Sequence, residues 1–215
     1  LSASLILLAA LYWSRSNSVK YFGSVLVASS IHTVGLFGLS LTFLDKFRSK
    51  TFLFGLVIMS FIVAVYGGLI TEPLKYLFYE LNINDPRIIG YLQTKHSLGS
   101  TAFSFTLLNF LALSLFFIAV FDKMKSVNGY VSILVPMFVF GACIRFIAVD
   151  YSILGTRVSD LLCATSLTIL VPSALSIFKK DIYKLLLMFV VAIYLSFWFY
   201  LSSNVAASYK SLLML

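Results

Sequence analysis

Arg145 stands in the run Gly-Ala-Cys-Ile-Arg-Phe-Ile-Ala-Val, inside a long apolar stretch. A charge at the centre of a membrane helix costs about 2.5–3.5 kcal/mol on insertion scales, so this side chain must snorkel, pair or bind. Arg157 follows in Gly155-Thr156-Arg157-Val158-Ser159-Asp160, at the start of the next apolar run. The turn between the two runs brings both arginines to one side. Thr156, or Ser159 further in, is a candidate cap for a helix N-terminus, an end that attracts anions. Two guanidiniums beside such an end suit a phosphate or pyrophosphate, because arginine keeps its charge and donates in a planar fork. The ordinary alternative is structural: salt bridges to Asp150 and Asp160, or snorkelling.

Arg87, Lys95 and His96 form a second polar group in the stretch from Thr71 to Ser100. Each on its own is a solvated loop residue. His96 carries the side-chain type whose ordinary pKa lies nearest neutral, the property a general base needs. His32 sits mid-run among Ala28, Ser29, Ser30, Thr33 and Gly35, small residues that let helices pack closely. Its expected role there is structural, with the ring hydrogen-bonded to a neighbouring helix. Cys143 and Cys163 lie in apolar runs without CxxC or His/Cys ligand spacing, and read as two small buried thiols. No dense Asp/Glu cluster marks a metal site, and no P-loop, GxSxG or HExxH occurs, so neither metal nor ATP chemistry is expected.

The elements that must position these residues are apolar. Hydrophobic residues make up 60% of the 215 and charged ones only 11%, against roughly 25% charged in soluble domains. The mean hydropathy is +1.00. One core cannot hide that many apolar side chains, so lipid must solvate them. The net charge of +8 does not indicate nucleic acid, because the Lys and Arg residues cluster between apolar runs, as in membrane loops. Near-spanning runs cover Tyr21–Leu44, Thr51–Ile70, Thr101–Phe121, Val127–Val149, Leu161–Phe178 and Leu185–Leu201. They are continuous and lack strand alternation, so each is expected to be a helix.

The run from Leu1 to Trp13 is too short to span and carries no signal-peptide features. It is expected to be the tail of a truncated helix, the chain being a C-terminal portion of a longer protein. The fold class is therefore all-α: a polytopic transmembrane bundle of about seven segments, one domain over 1–215, with a long extracytoplasmic loop at 71–100. Three connections are short and basic, at 45–50, 122–125 and 179–184, and the positive-inside rule makes them cytoplasmic. The loop at 71–100 and the turn from Asp150 to Asp160 then face outward. Arg15 and Lys20 would also fall outside, against the rule. Glu72 to Leu81 has helical apolar spacing and is expected to lie on the membrane surface.

The segment from Leu1 through Tyr21-Phe22-Gly23-Ser24-Val25-Leu26-Val27-Ala28-Ser29-Ser30-Ile31-His32 resembles the EpsG/Wzy-like polysaccharide polymerases of bacteria. So does Thr156-Arg157-Val158-Ser159-Asp160-Leu161-Leu162, followed by an apolar run with Pro172 and then Lys179-Lys180. In that family a small-residue segment ends in a His, and an Arg-Ile/Val-Ser motif opens a late helix. Thr33 stands after the His, where the family commonly has Ser. The resemblance implies a metal- and ATP-independent glycosyltransferase of the bacterial inner membrane. It would join oligosaccharide repeat units carried on undecaprenyl pyrophosphate into O-antigen, capsule or exopolysaccharide, without a cofactor, alongside a flippase and a chain-length regulator. Arg145 and Arg157 would stabilise charge on the leaving pyrophosphate. His96 or Asp150 would serve as base near the acceptor hydroxyl. Arg87, Lys95, Tyr151 and Asp160 would bind substrate. The competing class is a transporter, such as a flippase of lipid-linked oligosaccharide, which would also be polytopic with charges along its path.

Overall fold

The structure, a computed structural model, describes residues 2–31, 33–44, 48–66, 76, 80, 104–149, 152–193 and 196. Every regular element among them is helical. In chain order these are α1 (Ser2–Ser14), α2 (Ser18–Ile31), a 3-10 helix (Thr33–Ser40), α3 (Leu41–Leu44), α4 (Lys50–Tyr66), α5 (Phe105–Val127), α6 (Val131–Ile147) and α7 (Ser152–Leu175). A further helix, α8, covers 181–193. The chain divides into two compact units, Leu1–Ala174 and Leu175–Leu215.

Helix α6 is the axis of the first unit. Its residues from Val131 to Val139 are all buried, and so are Gly141, Ala142, Cys143 and Phe146. A helix apolar on every side belongs inside others. Helix α5 turns a stripe toward it, Leu107, Phe110, Leu113, Ser114, Phe117, Ile118, Phe121 and Met124, at alternating three- and four-residue steps. The rings of Phe117 and Phe138 meet edge-on at 5.2 Å. Helix α4 presents Leu53, Val57, Ser60 and Ala64, and Phe61 meets Phe146 at 5.6 Å. The outward sides of α4 and α5 stay apolar, with Phe52, Phe54, Met59, Ile62, Phe105 and Leu108 exposed. Such surface fits lipid rather than water. Helix α5 and residues Val158–Leu175 of α7 are long and apolar enough to cross a bilayer. The chain is a membrane protein.

Helix α5 starts on a proper cap, the Ser104 hydroxyl accepting from the Leu107 N–H. It continues through Asp122, Lys123, Met124 and Lys125, which sequence reading leaves as loop. The three charged residues are exposed while Met124 is buried, so the helix carries its apolar stripe one turn past the apolar run.

The largest departure from expectation concerns Tyr21–Leu44, read as one span. Helix α2 ends at Ile31, and the chain then runs back along it. The Tyr21 hydroxyl donates to the Gly38 carbonyl at 2.8 Å. A Cβ placed on Gly38 would lie 3.1 Å from Val25 Cγ2, and one on Gly35 would lie 2.6 Å from the Ala28 carbonyl carbon. Residue 35 thus faces 28 and residue 38 faces 25, an antiparallel hairpin whose two arms each rise about 20 Å. Both ends of the segment therefore lie at one end of the unit. Two contacts agree. Arg15, in the turn after α1, donates to the Tyr130 hydroxyl and lies over its ring. Lys50 pairs with Asp122 at 2.6 Å. Arg15 and Lys20 are accordingly on the side of Lys50 and Lys123, not opposite them, because the intervening segment returns to its starting level.

In the second unit, Lys184 donates to Asp181 at 2.9 Å and holds its carboxyl below the usual carboxylate range. Helix α8 exposes Ile182, Leu185, Leu186, Met188 and Phe189. In the 72–81 stretch, Tyr76 and Glu80 are helical and exposed. The rest of the loop at 71–100 lies outside the described residues.

Candidate functional site

Helices α6 and α7 pack as an antiparallel pair, and small residues set how close they come. A Cβ on Gly141 would stand 2.7 Å from Cys163 Sγ and 2.9 Å from Leu162 Cβ; one on Gly155 would stand 2.9 Å from Ala148 Cβ. Glycine at both places lets the backbones approach. The Cys163 thiol uses that proximity, donating to the Phe138 carbonyl at 3.3 Å, and the Ser159 hydroxyl donates to the sulfur at 3.8 Å. At the other end Asn128 donates to Ser173 at 3.3 Å. Position 148 thus faces 155, position 141 faces 162–163, and position 145 comes level with the turn of α7 that holds 157–160.

Arg145 is in the last turn of α6, where a cation complements the helix dipole, and it is partly buried. Asp160 is partly buried on α7. Both lie within electrostatic reach of the Cys163 sulfur. The polar set extends to α4, where the Ser60 hydroxyl meets the Cys143 thiol. The structure thus gathers Arg145, Asp160, Ser159 and the two thiols among α4, α6 and α7, at the end of the unit away from Arg15 and Lys50. Sequence reading missed Ser60 and the use of Ser159. A lone serine in an apolar helix carries no sign of what it faces.

The capping argument at Arg157 does not hold. Helix α7 starts at Ser152, so Thr156 and Ser159 are inside it and cap nothing. The tight Gly155–Ala148 approach lets helical geometry begin almost at once after α6. Arg157 therefore sits in the second turn of α7, level with Arg145, and its side chain lies outside what the structure describes. Arg87, Lys95, His96, Asp150, Tyr151 and His32 lie outside the described residues as well. Cys143 and Cys163 are free and buried, as their apolar settings led one to expect.

A cation held part-way down an apolar bundle, beside a carboxylate and hydroxyl-bearing side chains, can do two things. It can close a structural ion pair, or it can receive the oxygens of a phosphate whose lipid tail stays in the membrane.

Against known families the match is extensive. The model of the EpsG family covers residues 1–213, and the chain belongs to that family. No curated protein matches it. No solved structure matches it.

Proposed function

We propose that this EpsG-family chain is a multi-pass glycosyltransferase of the bacterial inner membrane that polymerises undecaprenyl-pyrophosphate-linked oligosaccharide repeat units. The observation that carries the reading is the level shared by Arg145, Asp160 and position 157 at one end of a membrane bundle. In the proposed reaction the bond from the anomeric carbon of the growing chain to its pyrophosphate oxygen breaks. The electron pair stays on the pyrophosphate. The hydroxyl of an incoming lipid-linked unit bonds to that carbon and gives up its proton to a base. The glycosyl–pyrophosphate bond is already activated, so the chemistry calls for charge stabilisation rather than further energy input. Arg145 and Arg157 fit that need, because a fixed cation aimed at charge developing on the leaving group lowers the barrier. His96 or Asp150 would take the proton. Arg87, Lys95, Tyr151 and Asp160 would hold the sugars and the pyrophosphate, and a flippase and a chain-length regulator would act beside the enzyme.

A carrier of lipid-linked oligosaccharide is the second reading, favoured by the broken segment at residues 18–44, since helices interrupted at membrane depth are common in transporters. Reconstitution of the purified chain in liposomes with lipid-linked repeat units separates the two. A ladder of polymer on lipid supports the polymerase. Movement of intact units between leaflets without any ladder supports the carrier and overturns the polymerase.

A further inference from the structure

The turn between α1 and α2 is tied into one corner by its own backbone. The Tyr12 carbonyl accepts from the N–H groups of Arg15 and Asn17, at 3.2 and 3.0 Å. Ser16 between them is left-handed, with φ 57°. The Asn17 side chain accepts from the Lys20 N–H at 3.2 Å, so the start of α2 is already capped. The corner presents two exposed cations, and each lies against an aromatic ring. Lys20 Nζ stands 5.6 Å from the centre of the Tyr12 ring. Arg15 lies 5.3 Å over Tyr130 and donates to its hydroxyl. Neither cation pairs with a carboxylate among the described residues. Lys50, Lys123 and Lys125 share this end with one described carboxylate, Asp122, which pairs with Lys50. Beside Lys20 the outer face of α2 is apolar. Val19 is 85% exposed, Phe22 45%, Leu26 68% and Val27 52%, and nothing lies within 4 Å of a Cβ placed on Gly23 among them. Their three- and four-residue steps make one stripe. It runs about 12 Å from Val19 to Val27, close to the roughly 15 Å that one leaflet gives to the hydrocarbon layer.

We infer that this corner binds an anionic phospholipid of the leaflet on the basic side. Arg15 and Lys20 hold its phosphate, and its acyl chains lie along the stripe from Val19 to Val27. The site is independent of the polymerase reading. Charge selects the headgroup, because a cation near a membrane surface favours anionic over zwitterionic lipid by about fivefold. The stripe selects a lipid over an acidic protein. The surface beside the cations is apolar at acyl-chain depth, and a protein partner would have to displace bilayer to cover it. Tyr12 and Tyr130 set the level, since tyrosines gather where headgroups meet hydrocarbon. Their rings also hold the two long side chains in place, so less freedom is lost when the phosphate arrives. The Arg15 guanidinium keeps further N–H donors beyond the one given to Tyr130. A lipid held here secures α2, an arm too short to cross the bilayer, at its membrane-surface end.

Trp13 is a reporter already in place, because it follows Tyr12 and its ring lies 4.8 Å from that of Tyr21. The chain has two tryptophans, so Trp198→Phe leaves Trp13 as the sole indole. The full chain in that background is reconstituted in phosphatidylcholine bilayers with a small fraction of brominated phosphatidylglycerol or brominated phosphatidylcholine, and Trp13 quenching gives the relative affinity. Phosphatidylglycerol should be preferred by about thirtyfold, two cations at about fivefold each. Arg15→Gln with Lys20→Gln should abolish the preference. Lys123→Gln with Lys125→Gln, an equal change of charge at the same end, should keep most of it. Equal quenching by the two lipids in the unsubstituted corner would mean that the cations only snorkel, and would overturn the site. An equal fall in both double variants would show a diffuse field and overturn it as well. Relief of quenching by inorganic phosphate at constant ionic strength would assign the corner to a soluble anion. Relief by undecaprenyl pyrophosphate but not by unlabelled phosphatidylglycerol would assign it to a polyprenyl carrier. Either result overturns the phospholipid. If the Arg15→Gln, Lys20→Gln chain fails to insert, Lys20→Gln alone should cut the preference about fivefold and Arg15→Lys should retain it.

Discussion

Replacing Gly35 by alanine should force the two arms of the hairpin apart. The added Cβ would stand 2.6 Å from the Ala28 carbonyl carbon, 2.7 Å from its oxygen and 2.7 Å from the Ser29 nitrogen. Ordinary contact begins near 3.4 Å, so about 0.8 Å of separation is missing. All three neighbours are backbone of α2, which cannot rotate aside as a side chain can. Overpacking of this kind costs about 1–3 kcal/mol. Alanine also gains about 0.5–1 kcal/mol over glycine in helical backbone, which offsets part of that cost. The expected result is a net loss of about 1–2 kcal/mol. Gly23→Ala and Gly55→Ala supply the controls, since nothing lies within 4 Å of a Cβ at either position. They should be neutral or gain up to about 1 kcal/mol. Gly38→Ala should fall between, because it meets the ends of Ile6 and Val25 side chains, which can move. Unfolding midpoints of the purified variants in one detergent give the ranking. A Gly35→Ala protein as stable as Gly23→Ala would mean that the arms do not touch there, and the reversal would have to be abandoned.

Three further outcomes are expected. Arg157→Lys should lose most polymer in cells lacking the native enzyme while membrane levels hold, since lysine keeps the charge but not the fork that grips two oxygens; near-normal polymer length on gels would remove the bidentate role, and normal polymer from Arg157→Ala would remove the residue from the mechanism. Gly141→Ala should destabilise by about 1–3 kcal/mol, and combining it with Cys163→Ala should recover part of that, because the new Cβ would sit 2.7 Å from Cys163 Sγ; strictly additive unfolding energies would contradict the packing. Asp122→Asn should change stability by less than about 1 kcal/mol, because its pair with Lys50 is 2.6 Å long but 73% exposed on the carboxylate side; a larger loss would show the pair shielded from water.

The sequence made the helical class and the placing of α4 to α7 legible, because continuous apolar runs of spanning length leave few other solutions. It also located the α6–α7 turn and hence the neighbourhood of Arg145. The hairpin was hidden for a physical reason. Hydropathy measures how apolar Tyr21–Leu44 is, and two short arms score as one long helix does. The readable sign was electrostatic. Basic residues flank the segment at both ends, Arg15 and Lys20 before it and Lys46 to Lys50 after it, which is what a segment returning to its own side produces. The glycines at 35 and 38 add a packing sign, intelligible once they are seen against Ala28 and Val25. At the site, the start of α7 was placed late because Thr156 and Ser159 looked like caps. A polar side chain inside a helix can equally serve a neighbour, as Ser159 serves Cys163. Arg145 was found by its cost in lipid, whereas Ser60 has no such cost and left no trace.

The equal arms of the hairpin bear on how the chain is built into the bilayer. Neither α2, at 14 residues, nor the 3-10 and α3 arm of about equal rise reaches the roughly 20 residues that a lone crossing helix needs. Packed on each other at Gly35 and Gly38, the two arms make a unit that can enter together. No hydrophilic loop then has to cross the hydrocarbon, and Arg15 stays at the same end of the unit as Lys50. A substitution that pries the arms apart would then act first as a defect of biogenesis, lowering the amount of protein in the membrane before it altered any property of the finished molecule.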